Sequence, residues 1–293
     1  MKKSKHLVKP FRIEHGKDFR LKDHDPGETA GVRSKAEAEK LLAEGIAKLA
    51  ELQDKLYAQD NYALLLVIQA MDAAGKDGII KHVMSGVNPQ GCQVCSFKAP
   101  STEELDHDFM WRTMTRMPER GRIGIFNRSY YEEVLVVRVH PELLAAEHIP
   151  PKLITKDIWK ERFEDINGFE RYLSRNGVVV RKFFLNISKR EQKKRFLARL
   201  DEPGKNWKFS AADIKERSRW DDYMEAFEDM IQHTATPGAP WHVIPADNKW
   251  FTRIAVAEAV IDTLESLNLS YPKVDDAKAQ ELAAARKLLE EKK

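Results

Sequence analysis

The sequence predicts an α/β fold on a five-stranded parallel sheet with helices on both faces. Three observations carry that expectation. One is an apolar run, Tyr62–Ile68, bounded by polar residues. Another is four further short apolar stretches, and the third is the helical segments that alternate with them.

Taken in order, residues 1–33 mix charges with Gly16, Pro26 and Gly27 and show no period, so an extended arm lying on the body is expected. Ser34 followed three residues later by Glu37 is a capping-box signature. Leu41, Leu42, Ile46, Leu49 and Leu52 then recur at helical spacing, which predicts one helix over Lys35–Ala58. Tyr62–Ala70 is the first strand, and its unbroken apolarity suits burial on both faces. A helix over Gly78–Ser85 follows the turn at Met71–Gly78. Strands are predicted at Gly91–Phe97 and Gly121–Phe126, with a helix over Glu103–Met117 between them. The helix Trp159–Asn176 stops at Gly177. A strand at Val178–Ile187, a basic helix at Lys189–Leu200, a loop at 201–210 around Pro203 and Gly204, and a helix at Ala211–Gln232 come next. Trp241–Pro245 is the fifth strand, and Thr252–Leu267 closes the domain. The division is therefore an arm at 1–33, a domain at 34–272 with a lid at about 201–222, and a tail at 273–293. The tail is rich in Ala, Glu and Lys and is expected to project or to pack on a neighbour.

Composition narrows the class. With 42% hydrophobic and 32% charged residues in a chain of 293, collagenous, low-complexity and wholly disordered readings are excluded. The longest apolar run is far short of the ~20 residues a membrane span needs. The basic start, Met1-Lys-Lys-Ser-Lys-His, lacks the apolar stretch of a secretory leader, so the expectation is a cytoplasmic protein with no membrane partner. Cys92 and Cys95 are half a zinc site with no second pair, and are read as packing residues. The net charge is only +3, but thirteen basic residues face five acidic ones between Arg181 and Arg219. That stretch carries +8 and leaves −5 for the rest, which points to an anionic ligand.

In a parallel sheet the ligand lies beyond the carboxyl ends of the strands. That puts the loops at 71–78, 98–104, 126–133, 186–191 and 245–250 on one edge. Between the first strand and its helix stands Ala73-Ala74-Gly75-Lys76-Asp77-Gly78. Small residues there let backbone N–H groups approach phosphate oxygens, the helix N-terminus adds positive potential, and Lys76 adds a point charge. Against G-x-x-x-x-G-K-[ST], Ala70 replaces the first Gly and Asp77 replaces the hydroxyl residue. A plain Gly-Lys turn opening a helix is the alternative. Without the hydroxyl, a carboxylate must hold Mg²⁺, and Asp72 at the strand end is the candidate.

At the end of another strand, Arg128 has the fork that suits tetrahedral oxyanions, and Glu132 is placed to orient a metal or an acceptor. The plain alternative is an i,i+4 ion pair at a helix start. The basic stretch resembles the arginine-rich lid of nucleotide and nucleoside kinases, with Lys208, Arg217 and Arg219 as its candidate cations. Lys193 and Lys194 either join them or solvate a helix face. Trp207, Trp220, Tyr223 and Phe227 are expected to pack the lid helices, stacking of one of them on a nucleobase being the alternative. Together these features describe phosphoryl transfer, in which alignment and charge neutralisation dominate.

Several linked stretches resemble the polyphosphate kinase 2 family from about Lys35 to Pro272. They are Gln69-Ala-Met-Asp-Ala-Ala-Gly-Lys-Asp-Gly, Gly86-Val-Asn-Pro-Gln-Gly, Phe126-Asn-Arg-Ser-Tyr-Tyr-Glu, Lys182-Phe-Phe-Leu-Asn-Ile-Ser-Lys-Arg-Glu-Gln, Asn206-Trp-Lys-Phe-Ser and Pro240-Trp-His-Val-Ile-Pro-Ala-Asp-Asn-Lys-Trp-Phe. The resemblance implies a P-loop kinase fold of the thymidylate-kinase type, three layers α/β/α. It also implies inorganic polyphosphate as phosphoryl donor to a nucleotide, with Mg²⁺, and a dimer or tetramer. By the same analogy Asp72 serves metal and acceptor positioning, Gly75 and Lys76 the phosphate loop, and Arg128 the transferring phosphate. Many family members have Asp where this chain has Asn127, a departure that weakens a metal-ligand assignment there. Asn127 together with Glu132 resembles the subgroup that accepts both AMP and ADP, so the expected route is AMP to ADP to ATP. An ATP-dependent nucleoside or nucleotide monophosphate kinase and a non-catalytic polyanion-binding protein are the other readings. Nucleic acid is not an expected partner.

Overall fold

The computed structural model describes residues 7–290; the basic start of the arm (1–6) and the last three residues of the tail lie outside them. The strands are β1 Arg12–Ile13, β2 Ala63–Gln69, β3 Cys92–Ser96, β4 Ile123–Asn127, β5 Val178–Asn186 and β6 Trp241–Pro245. The helices are α1 Lys35–Gln59, α2 Lys76–Val83, α3 Thr102–Leu105, α4 Trp111–Met114, α5 Val136–Val139, α6 Ile158–Arg175, α7 Lys189–Asp201, α8 Ala211–Ser218, α9 Trp220–Thr234, α10 Lys249–Ser266 and α11 Asp276–Glu290.

The sheet runs β1-β6-β5-β2-β4-β3. The five expected strands are all parallel, in register pairs such as Leu66↔Ile125 and Leu66↔Arg181. A sixth strand was not expected. In the arm, Arg12 and Ile13 pair antiparallel with His242 and Trp241, so the sheet is mixed. Two residues are too short a run for period-2 alternation to show, and only the exposed edge of β6 recruits them.

All seven residues of β2 are buried, as its apolarity requires. Helices α1, α2 and α10 cover one face, while α6, α9 and the 3-10 turn Tyr130–Val134 cover the other. The chain leaves β2 for β3 and β4 on one side, then crosses to β5 and β6 on the other. That makes the carboxyl end of β2 the switch point where a ligand crevice opens.

Two expected helices are broken. Over 103–117, the Asp108 carboxylate accepts from the Met110 N–H at 2.9 Å, and this local bond replaces helical pairing between α3 and α4. Over 211–232, the helix bends at Arg219, where the Ser218 hydroxyl donates back to the Lys215 carbonyl at 2.6 Å. The break lets α9 bury Trp220, Tyr223 and Phe227 while α8 leans on α7. The tail forms α11, whose residues are all exposed. Among the described residues no helix is long and apolar enough to cross a membrane.

Candidate active site

The loop from Ala70 to Gly75 joins β2 to α2 at the switch point, and its backbone is strained. Gly75 caps α2 with φ +115°, and Ala73 and Arg128 sit at φ +62° and +65°. For residues other than glycine this region is costly, and it clusters where surroundings over-determine the backbone. Those surroundings are visible. Lys76 Nζ donates to the carbonyls of Ala70 (2.9 Å) and Met71 (3.4 Å). Gln192 Nε2 donates to the Asp72 carbonyl at 3.0 Å. Arg195 Nη1 donates to the carbonyls of Ala73 (3.0 Å) and Ala74 (2.7 Å). Five successive carbonyls are thus engaged by side chains, which leaves the following N–H groups to face an anion.

Lys76 is half-buried, and burial followed by the field of Arg128 lowers its pKa, while Asp72, Glu132 and Asp77 oppose the shift. Arg128 Nη2 meets Asp72 Oδ1 at 2.8 Å and its Nη1 meets Glu132 Oε2 at 2.8 Å. Glu132 foremost, with Asp72, raises the guanidinium's pKa, so the fork stays charged. The expected i,i+4 pair therefore exists, but as one arm of a three-residue bridge from β2 to β4. With its amide oriented to donate to Glu132 Oε1 at 2.8 Å, Gln69 fixes the other carboxylate oxygen. Asn127 Nδ2 holds Asp77 Oδ1 at 2.9 Å, while the buried Asn127 Oδ1 has no partner.

Those oxygens bear on a metal. The carboxylates of Asp72 and Glu132 offer hard donors, the chemistry a Mg²⁺ ion selects, and the unpartnered Asn127 Oδ1 is an oxygen donor at the position where the sequence weakened a ligand role. Among the described residues no group of three or more His, Cys, Asp or Glu is placed to hold a metal. Mg²⁺ usually takes one or two carboxylates plus substrate phosphates and water, so this sparse set fits it.

The lid candidates stand apart from this centre. Lys208 is exposed, with its ammonium 4.9 Å from the Trp207 ring centroid. Arg219 is exposed beside Asp222 at 3.6 Å. Arg217 is docked on the body, its Nη1 donating to the Lys189 carbonyl (2.8 Å) and to Gln192 Oε1 (2.7 Å). Trp207, at 78% exposure, does not pack the lid as expected; its indole N–H only reaches the Gly204 carbonyl. Trp220, Tyr223 and Phe227 do pack. Much of the +8 stretch is also spent internally. Arg181 bonds Thr263, Lys182 is fully buried on Glu170, and Arg199 meets Asp213 at 3.0 Å.

Sequence reasoning missed Gln192, Arg195 and Asp213 here, and read Tyr223 only as a packing residue. Gln192 and Arg195 lie on the buried face of α7 with Phe196, a face that the i, i+3, i+4 spacing of the helix marks. Asp213 of α8 lies near enough that burial first, then Asp72, raises its pKa. The Tyr223 hydroxyl donates to Glu216, and burial, Glu216, Glu132 and Asp72 all raise its pKa. Cys92 and Cys95 are free and partly buried, in keeping with packing.

The sequence profile of Polyphosphate kinase 2 (PPK2) matches residues 32–272. The chain is 50% identical over 283 residues to the ADP-polyphosphate phosphotransferase of Rhodopseudomonas palustris, covering 96% of this chain and 98% of that one. It is 42% identical over 271 residues to the AMP/ADP-polyphosphate phosphotransferase of Meiothermus ruber, covering 92% and 97%. The crystal structure of Polyphosphate Kinase 2 from Arthrobacter aurescens superposes with a TM-score of 0.88 at 44% identity, covering 96% of each chain. With the strand-loop-helix site at its switch point and these matches along nearly its whole length, the chain belongs to the polyphosphate kinase 2 family.

Proposed function

We propose that the protein transfers the terminal phosphoryl group of inorganic polyphosphate to ADP, and to AMP, forming ATP with Mg²⁺. The observation that carries the reading is the Asp72–Arg128–Glu132 bridge at the mouth of a loop whose carbonyls are all held back. Relatives named for ADP and for AMP/ADP support both acceptors.

The chain's own groups divide the work. The N–H groups of Ala73 and of Gly75 to Gly78, with the Lys76 ammonium, bind the end of the donor, while the Ala74 N–H turns back to the Met71 carbonyl at 3.3 Å. The Arg128 fork spans donor and acceptor phosphates, and Glu132 orients the acceptor through it. Asp72 would hold Mg²⁺, which when bound neutralises charge on the phosphates. An ionised phosphate acceptor needs little proton removal, so alignment and neutral charge balance supply most of the rate. The exposed lid cations, Lys208 and Arg219, stand ready to close over the donor and exclude water. A polyanionic donor gains affinity from such cations through counterion release. Assembly as a dimer or tetramer belongs to the same proposal, supported by the exposed Leu282, Leu288 and Leu289 of α11, and light scattering reads it.

Purified protein given Mg²⁺, polyphosphate and either AMP or ADP should form ATP. The same acceptors with ATP as donor separate this reading from an ATP-dependent monophosphate kinase. No product from polyphosphate with any nucleotide overturns the proposal.

A further inference from the structure

We propose that Gln192 is a positioning residue that couples the docking of the lid to the shape of the phosphate loop. The proposal rests on the phosphotransferase reading above, and deepens it.

Gln192 is 1% exposed in the first turn of α7 and uses both ends of its amide. Its Nε2 donates to the Asp72 carbonyl at 3.0 Å, and its Oε1 accepts from Arg217 Nη1 of the lid at 2.7 Å. The two bonds face opposite ways, so a single planar group joins α8 to the end of β2. An amide polarised by a guanidinium on its oxygen is a better donor at its nitrogen, which makes the two bonds cooperative. Docking of Arg217 therefore strengthens the hold on Asp72, the residue whose carboxylate already meets Arg128.

Three residues further along the same face, Arg195 sets the rest of the loop. Its five N–H groups are all used: Nε on Glu191 (2.9 Å), Nη1 on Ala73 and Ala74, and Nη2 on the carbonyls of Ala246 (2.6 Å) and Asp247 (3.1 Å). Arg195 ties the loop to the end of β6 and touches no lid residue in these bonds, so it holds the loop whatever the lid does. Gln192 differs in bonding both. The sequence explains why such holding is needed: Ala70 and Asp77 replace the first Gly and the hydroxyl of the common phosphate-loop pattern. Ala73 at φ +62° is then kept in place from outside by α7.

The glutamine can be split into its two halves. Gln192→Glu keeps an acceptor for Arg217 and cannot donate to Asp72 when ionised, whereas Gln192→Ala removes both bonds. Initial rates of ATP formation from ADP and polyphosphate are measured for both variants, for Arg217→Ala and for the two double variants. Thermal unfolding and trypsin cleavage at the exposed lid lysines, Lys205 and Lys208, are followed in parallel. The expected result is a fall of about tenfold in kcat for Gln192→Ala and for Gln192→Glu, with KM for ADP little changed. Arg217→Ala should add nothing further in either background. Lid cleavage should accelerate in Gln192→Ala and Arg217→Ala, and stay at the wild-type rate in Gln192→Glu.

Multiplicative losses in kcat from Gln192→Ala and Arg217→Ala overturn the coupling, as does a wild-type kcat in Gln192→Glu. Should Gln192→Ala unfold, the Gln192→Glu and Arg217→Ala pair carries the test alone. Absence of ATP from the wild-type protein would count against the phosphotransferase reading; multiplicative variants in an active protein count only against this one.

Discussion

Removing Lys182 tests how the buried centre behind the site is held. Its ammonium is wholly buried and donates to Glu170 Oε2 (2.6 Å), the Tyr131 hydroxyl (2.9 Å) and the Thr234 carbonyl (2.7 Å). Glu170, 2% exposed, also accepts from the hydroxyls of Tyr130 and Tyr131 at 2.9 and 2.8 Å. In Lys182→Met the methionine fills most of the volume, but Glu170 keeps its charge in a site with no cation. Breaking one side of a buried pair costs about 3–5 kcal/mol. At about 2 °C per kcal/mol for a long chain, the melting temperature should drop by about 6–10 °C. A second change, Glu170→Gln in the same chain, should recover part of the loss, because a neutral amide still accepts from the tyrosines. Differential scanning calorimetry compares both variants with the wild type. A loss under about 2 °C, or no recovery in the double variant, would refute the claim that an orphaned charge is the penalty.

Four other outcomes follow from the same structure. Lys76→Ala should cut kcat by about 10²–10³ with an unfolding temperature close to wild type, since its ammonium serves the loop's structure through two hydrogen bonds to carbonyls, and turnover near wild type would remove Lys76 from the chemistry. Glu132→Asn should lower turnover of AMP more than that of ADP, and equal losses would dissociate Glu132 from acceptor choice. The Glu147 carboxyl is pushed up to about 8, chiefly by burial and then by Glu133. The folded state thus keeps a proton the unfolded chain gives up, so stability should decline between pH 5 and 8, and Glu147→Gln should flatten that slope in thermal unfolding. Burial pushes the Cys92 thiol up to about 11, so about one molecule in a thousand carries the thiolate at pH 8. Iodoacetamide should label Cys92 slowly in the native protein and rapidly in denaturant; equal rates would contradict its packed position.

Local patterns were enough for most of the frame. The wholly apolar Ala63–Ile68 reads as a doubly covered strand because no other kind of element buries every residue of so short a run. Ser34 marks the start of α1 because its hydroxyl accepts from the Glu37 N–H, an interaction only three residues long. The phosphate loop was legible for the same reason: strand, small residues, Gly-Lys and helix are adjacent in the chain. Arg128 was visible as a strand-end cation, although its double bridge to Asp72 and Glu132 spans 56 residues on one side.

Charge is where the one-dimensional reading ran out. Counting treats Lys182, Arg195 and Lys208 alike, yet one is entombed on Glu170, one has all five donors on carbonyls and Glu191, and one stands in solvent. Which cation faces a ligand depends on partners 12, 51 or 122 residues away. The same holds for Arg12 and Ile13, whose strand exists only because β6 offers an edge, and for Gln192, an ordinary helix residue until α8 and β2 meet on either side of it. Sequence determined the elements and the loop, since those arise from contacts within a few residues. The tertiary structure alone decided which charges are spent on the protein and which remain for phosphate, because solvation and pairing are set by neighbours that chain order does not reveal.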